Sequence, residues 1–249
     1  MRSEKLNLYD NWIKRENYFA NLPSGDVTKV IAFSLMLYSH VIYGLFREYN
    51  WARFINKIDF PMICCLLTVG ILRSKSVKRY FKRLFIFALI SQIPYYLVFG
   101  ARLNVGFTLL GGAFLIASFQ GKFISKESKY YYVYCFLAVL SIVVIGNLVR
   151  FDNGLRGMLL PLAIFLAPNL FVGTLFIMIF FWFGHHNPQS SLYFHWYAYL
   201  ANFAIFFLNW YLEKIKGLSD NRFVYRYFFY VAYPVHFLII AAIAYFTKT

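Results

Sequence analysis

Val30-Ile31-Ala32-Phe33-Ser34-Leu35-Met36-Leu37-Tyr38-Ser39-His40-Val41-Ile42-Tyr43-Gly44-Leu45-Phe46 contains no Asp, Glu, Lys or Arg. Its length is close to the ~20 apolar residues that cross a bilayer as a helix. Its one ionisable imidazole, His40, lies well inside it. Phe228–Phe246 is a second such run and carries His236. An ionisable side chain at membrane depth is expensive, so it turns to the bundle interior, where it pairs or does chemistry.

Working outward, the rest of the chain reads the same way. Of 249 residues, 61% are hydrophobic, 22% aromatic and 14% charged, where a soluble domain carries about a quarter charged residues. The expected fold is all-α, a polytopic transmembrane helical bundle of eight or nine spans. Their expected positions are 28–47, 54–72, 83–99, 104–120, 131–149, 157–167, 170–184, 192–211 and 228–246. Residues 157–184 read either as one span broken at Pro168 or as two short ones turning at Ala167-Pro168-Asn169. Two crossings put Lys214, Lys216, Arg222 and Arg226 on the same side as the other basic loops, which favours nine.

Residues 1–27 form a polar leader, and 28–249 a single membrane domain. Leu6, Leu8, Tyr9, Trp12 and Ile13 fit a helix lying on the membrane surface. Asp26 is a candidate N-cap for the first span. No small-residue cleavage site follows the first apolar run, which therefore reads as an uncleaved span. No internal repeat is visible, which disfavours an inverted-repeat transporter.

The net charge of +15 sits in short loops. Arg73, Lys75, Lys78, Arg79, Lys82 and Arg83 form the strongest cluster, and Lys122, Lys126 and Lys129 another. Cytoplasmic loops carry such an excess, so the N-terminus is expected inside. No basic stripe interleaves with aromatics on a polar surface, so nucleic acid is not an expected partner. The partner is the lipid bilayer. Cys64, Cys65 and Cys135 lie in apolar segments and read as small buried side chains, with no disulfide or metal role.

His40 falls about 13 residues past the expected start of its helix, roughly 20 Å deep at ~1.5 Å per residue. It reads either as a packing histidine bonded to a neighbouring helix or as a neutral imidazole serving as general base. His236 follows Tyr233-Pro234. Tyr233 shares a helix face with it at i, i+3 and Tyr230 lies near that face. Either phenol is a candidate donor to a developing oxyanion. The other reading is a Pro-kinked packing helix.

Ser91 and Gln92 precede Pro94 as a polar pair, and Asn104 and Thr108 share a face at i, i+4. All four read either as interhelical glue or as hydrogen-bonding groups for a substrate. His185, His186 and His195 lack a third ligand at suitable spacing, so no metal site is expected.

Several ordered blocks resemble the TraX family of bacterial membrane proteins. Lys29-Val30-Ile31-Ala32 through Leu37-Tyr38-Ser39-His40 is similar to its opening motif, with Ser39 where the family has aspartate. Phe60-Pro61 matches a second motif, with Lys57 in the place of an arginine. Arg83-Leu84-Phe85-Ile86-Phe87-Ala88-Leu89-Ile90-Ser91-Gln92-Ile93-Pro94-Tyr95-Tyr96 is the closest stretch. Leu103-Asn104-Val105-Gly106-Phe107-Thr108-Leu109-Leu110 follows it. Asn153-Gly154-Leu155-Arg156-Gly157 and the Tyr-Pro-x-His ending complete the resemblance.

The resemblance implies an enzyme, an acetyl-CoA-dependent N-acetyltransferase in the bacterial inner (plasma) membrane. Its acceptor would be the N-terminal amine of a conjugative pilin subunit. His40, His236 and Tyr233 are the expected catalytic residues. Asp59 is the candidate partner for His40 in place of the missing aspartate. Lys57, Arg79, Lys82, Arg83, Ser91, Gln92, Asn104 and Thr108 are the expected acetyl-CoA contacts, the cations serving its phosphates. Alternatives are a membrane acyltransferase acting on a glycan or lipid, and a non-enzymatic pilin assembly factor.

Overall fold

The computed structural model describes residues 26–46, 49–167 and 222–247, with side chains over 29–46, 58–167 and 229–247. Leader residues 1–25, the expected spans 170–184 and 192–211, and His185, His186 and His195 lie outside the described residues.

Seven α-helices occur among the described residues: α1 Asp26–Val41, α2 Tyr49–Leu72, α3 Val77–Phe99, α4 Val105–Phe119, α5 Tyr131–Leu148, α6 Gly154–Leu166 and α7 Arg222–Phe246. A π-helical turn, Ile42–Phe46, continues α1. No strand is present among these residues; Leu103 and Phe151 form an isolated bridge.

The boundaries follow local chemistry. Ser76, in extended conformation, begins α3, and its hydroxyl accepts from the Arg79 amide. Gly100 ends α3 at φ 75°, a region that glycine enters without a Cβ clash. Asn104 caps α4, its side-chain oxygen accepting from the Gly106 amide at 2.8 Å. Ala167 is extended at the end of α6, as the residue before a proline prefers. The helix therefore stops at Leu166, and no single helix runs unbroken through Pro168.

The expected count of eight or nine spans is not supported. Among the described residues, four helices are long and apolar enough to cross a membrane, over Lys29–Phe46, Val77–Phe99, Tyr131–Leu148 and Phe229–Phe246. Within α2 the apolar part with described side chains is Ile58–Leu72, and the helices Val105–Phe119 and Gly154–Leu166 are shorter. For α4 the reason is packing. Ala113, Leu115, Ile116 and Ala117 of α4 have no exposed surface. A helix enclosed by other helices is apolar whether or not it touches lipid. Helix α5 shows the opposite, exposing Tyr132, Val133, Phe136, Leu140, Val144 and Leu148 on a face suited to acyl chains. Four apolar helices of this kind mark a membrane protein.

The contacts fix the directions. Helix α7 lies along α3 with the same sense: Phe87 meets Tyr230 and Tyr233, while Tyr95 and Phe99 meet Phe237. It also runs with α1, since Phe33 meets Phe229 and His40 meets His236. Helices α4 and α6 run together. A Cβ on Gly112 would stand 2.6 Å from the Pro161 ring, so the backbones cross closely. One end of the bundle gathers Arg73, Lys75, Lys78, Arg79, Lys122, Lys126 and Lys129. The other gathers the 100–104 and 149–153 turns, and the two histidines sit towards it.

Candidate functional site

Helices α1 and α7 bring the two histidines together. His40 Nδ1 lies 2.9 Å from His236 Nε2. The rings are nearly coplanar in orientation, 4° apart, with centroids 5.2 Å apart. Both are buried, at 8% and 5% exposed. The sequence separates them by almost two hundred residues; parallel packing of α1 on α7 removes that separation. The π-helical turn that begins two residues after His40 closes the join. Gly44 packs so tightly on α7 that a Cβ there would lie 2.8 Å from Ile240. Such turns are frequent at functional sites, and nothing in the sequence pattern signals this one.

The hydrogen bonds assign the protons. His236 Nδ1 faces the Ala232 carbonyl at 3.3 Å, and a carbonyl only accepts, so Nδ1 carries a hydrogen. In a neutral imidazole the other nitrogen is then an acceptor. His40 Nδ1–H therefore donates to His236 Nε2. That leaves the lone pair on His40 Nε2, the one ring nitrogen of the pair with no partner among the described residues. The arrangement defines an open base, His40, held by a second imidazole in place of a carboxylate.

An aromatic wall surrounds the pair. Phe99, Tyr233 and Phe237 stand 5.4, 6.5 and 4.9 Å from the His40 ring, and Phe33 meets His236 edge-on at 5.9 Å. Tyr233 is 5.3 Å from His236, centroid to centroid. Its hydroxyl is buried without a partner beside the Val105 amide at the start of α4.

Ser39 does not replace an aspartate. It donates to the Met36 carbonyl of its own helix at 2.9 Å. Asp59 is not paired with His40 either, which corrects the expected partnership. It is 1% exposed on α2, and Oδ1 has no hydrogen-bond partner. The group that acts on it is Asp152, a residue the sequence reading passed over because it lies in a polar turn. The Tyr95 hydroxyl donates to the Asp152 carboxylate, and Arg102 lies close to it. Burial pushes the Asp152 carboxyl up to about 6, with Arg102 opposing the shift.

The expected acetyl-CoA contacts divide. Gln92 donates to the Arg102 carbonyl at 2.7 Å and accepts from the Asn104 amide at 3.0 Å. Asn104 also donates to the Ala88 carbonyl at 2.7 Å, and Thr108 donates to the Asp152 carbonyl. With the Leu103 amide bonded to the Arg150 carbonyl and the Asp152 amide to the Leu103 carbonyl, these side chains tie the two turns together. Ser91 differs. It is fully buried and its hydroxyl has no partner. One turn on either side of it, Phe87 and Tyr95 touch Tyr233 and Phe237, so it faces the same strip of α7. Each such orphan costs about 1–3 kcal/mol of desolvation.

Arg79, Lys82 and Arg83 are exposed on the first turns of α3, with the Arg83 guanidinium over the Tyr80 ring at 5.9 Å. From Arg79 to Phe99, at ~1.5 Å per residue, is about 30 Å, so the cluster does not meet the histidines. The Lys57 side chain lies outside the described residues.

Fold and site together define a helical membrane protein built around a buried, hydrogen-bonded histidine pair. The model of one protein family, TraX protein, matches residues 24–244. The chain belongs to the TraX family. No curated protein and no solved structure matches it.

Proposed function

We propose that this chain is a membrane-embedded acetyltransferase, moving an acetyl group from acetyl-CoA to the N-terminal amine of a conjugative pilin subunit. Membership in the TraX family fits a pilin-related role. The observation that carries the reading is the open nitrogen of His40, oriented through His236. A packing histidine has no need of a second imidazole that fixes its tautomer.

On this reading the basic end is cytosolic and grips the donor's phosphates through Arg79, Lys82 and Arg83. The donor's arm runs inward along α3, past the orphaned Ser91 hydroxyl. Tyr233 directs its hydroxyl at the thioester oxygen, where negative charge develops. His40 Nε2 takes a proton from the attacking amine as the C–N bond forms. It returns one as the C–S bond breaks, so coenzyme A leaves as the thiol. No serine or cysteine intermediate is required: Cys64 and Cys135 are buried thiols, and Ser39 is spent on its own helix. The protein works in the bacterial inner membrane, where a processed pilin presents its new N-terminus near the outer end.

Intact mass of the mature pilin tests this, after co-expression with the native chain or its His40→Gln form. One acetyl group gained with the native chain and absent with the variant is expected. An unmodified pilin with both would reject the acceptor, and a modified pilin with both would remove His40 from the reaction.

A further inference from the structure

Phe123, in the turn between α4 and α5, ties three helices together at the basic end. Its ring meets Phe81 of α3 at 6.3 Å, Phe114 of α4 at 5.8 Å and Tyr134 of α5 at 6.4 Å. Away from that end, α3 and α5 stand on either side of α4. Gly106 faces α3, where a Cβ would meet Ala88, and Gly111 faces α5 and α6, where a Cβ would meet Ile142 and Met158. Between those two sides Phe107, Leu110 and Phe114 form a stripe at helical spacing, and all three are only partly buried among the described residues. They floor a groove. Phe85 and Leu89 of α3 rise on one side of it, and Leu137, one turn on from Tyr134, on the other; each is about half exposed.

The rim of the groove is cationic. Lys78 shares a face of α3 with Phe81 and Phe85. Lys122, Lys126 and Lys129 come from the turn that carries Phe123, where Glu127 is the only acid. That turn is held in shape: the Lys122 amide donates to the Ala117 carbonyl at 3.0 Å, and the Tyr131 hydroxyl to the Phe119 carbonyl at 2.7 Å. Lys129 lies over the Tyr130 ring at 4.9 Å. Tyr130 and Tyr132 are exposed beside it, as aromatic residues are at the level of lipid headgroups. Arg79 and Arg83, two residues either side of Phe81, lie on the opposite side of α3. The positive-inside bias accounts for cations at this end; it does not account for four of them meeting above an apolar groove.

We propose that the groove between α3 and α5 holds one anionic phospholipid, its acyl chains on Leu110 and Phe114 and its phosphate among Lys78, Lys122, Lys126 and Lys129. Only such a molecule uses both parts of the site. A free phosphate would touch the rim alone, and an apolar helix the floor alone. A zwitterionic head brings its own ammonium to the lysines and cancels much of the attraction, whereas a glycerol head leaves the phosphate charge whole. The lipid would brace α3 against α5, which Phe123 alone joins at this end. The site is independent of the transfer reaction and of the histidine pair.

The test is native mass spectrometry of the full chain in detergent, titrated with dioleoyl phosphatidylglycerol or dioleoyl phosphatidylethanolamine. The first phosphatidylglycerol is expected to bind at least about ten-fold more tightly, on a scale of roughly five-fold per lysine near an anionic headgroup. Lys122→Gln, Lys126→Gln and Lys129→Gln combined should abolish that preference. Arg79→Gln with Arg83→Gln, on the far side of α3, should leave it in place. Soluble glycerol 3-phosphate, which has the head without the chains, should not displace the lipid. Equal binding of the two lipids by the native protein overturns the proposal without reference to any variant. Displacement by glycerol 3-phosphate reduces the site to an anion patch and also overturns it. So does a preference lost as fully in the arginine variant as in the lysine variant, since the lipid would then read only the net charge of this end.

Discussion

His40 keeps one nitrogen open because the other is occupied, and each substitution at the pair has a distinct expected result. On the proposed function His40→Gln removes the base, and acetyl transfer should fall about 10²- to 10⁴-fold, as general base removal does. His236→Phe leaves the base but frees its orientation. It should cost less, with kcat affected more than the KM for either substrate. With Tyr233 as the proposed oxyanion donor, Tyr233→Phe should lower kcat by about 100- to 1,000-fold, read in a purified transfer assay. Asp152 gives a pH signature. Its folded pKa, about 6, lies above the ordinary value of 3.8. The folded state therefore binds the proton more tightly. This contribution is complete below the ordinary value and is lost as pH rises through about 6. Thermal midpoints in detergent should fall over that window, and Asp152→Asn should flatten the decline. Both histidines were legible in the sequence because an imidazole stands out in an apolar run. Asp152 was not, since a carboxylate in a turn is the commonest of surface features, and only folding buries it against Tyr95.

At the scale of the element, close helix crossings set the site. A Cβ on Gly106 would lie 2.8 Å from the Ala88 Cβ and 2.9 Å from its Cα. The obstruction is backbone, so neighbours cannot simply rotate away. Gly106→Ala should destabilise by about 1–3 kcal/mol, as overpacking does. It should also disturb the Asn104 cap that sets the Val105 amide beside Tyr233. Chemical unfolding in mixed micelles, compared with Gly100→Ala, separates close packing from turn strain. Gly100 has nothing within 4 Å of a Cβ, and its φ is 75°. Helix positions could be read from the apolar runs: the expected 131–149 is Tyr131–Leu148, and the expected 104–120 is Val105–Phe119. What Gln92, Asn104 and Thr108 do could not be read. An amide or hydroxyl inside an apolar segment looks the same whether it meets a substrate or, as here, a carbonyl across a turn.

The whole molecule is polarised, with lysines and arginines at one end and the histidine pair towards the other. If the basic end is cytosolic, a cysteine placed at Lys126 should react with an impermeant maleimide only from the inside. One placed at Arg150 should react only from the outside, in oriented vesicles. Four spans are legible by length and apolarity. The expected 104–120 and 157–167 are shorter helices among the described residues, because burial in a bundle and exposure to lipid select the same residues. The direction of the histidine hydrogen bonds also has a consequence for the membrane itself. The series runs from His40 to His236 and ends on the Ala232 carbonyl, an oxygen that cannot hand a hydrogen onward. It is a cul-de-sac and not a wire. A proton taken up at His40 must leave by the door it came in, so the proposed transfer should neither leak nor draw upon the transmembrane proton gradient. Vesicles carrying the native chain should hold an imposed pH difference as long as empty ones, and an uncoupler should leave the transfer rate unchanged.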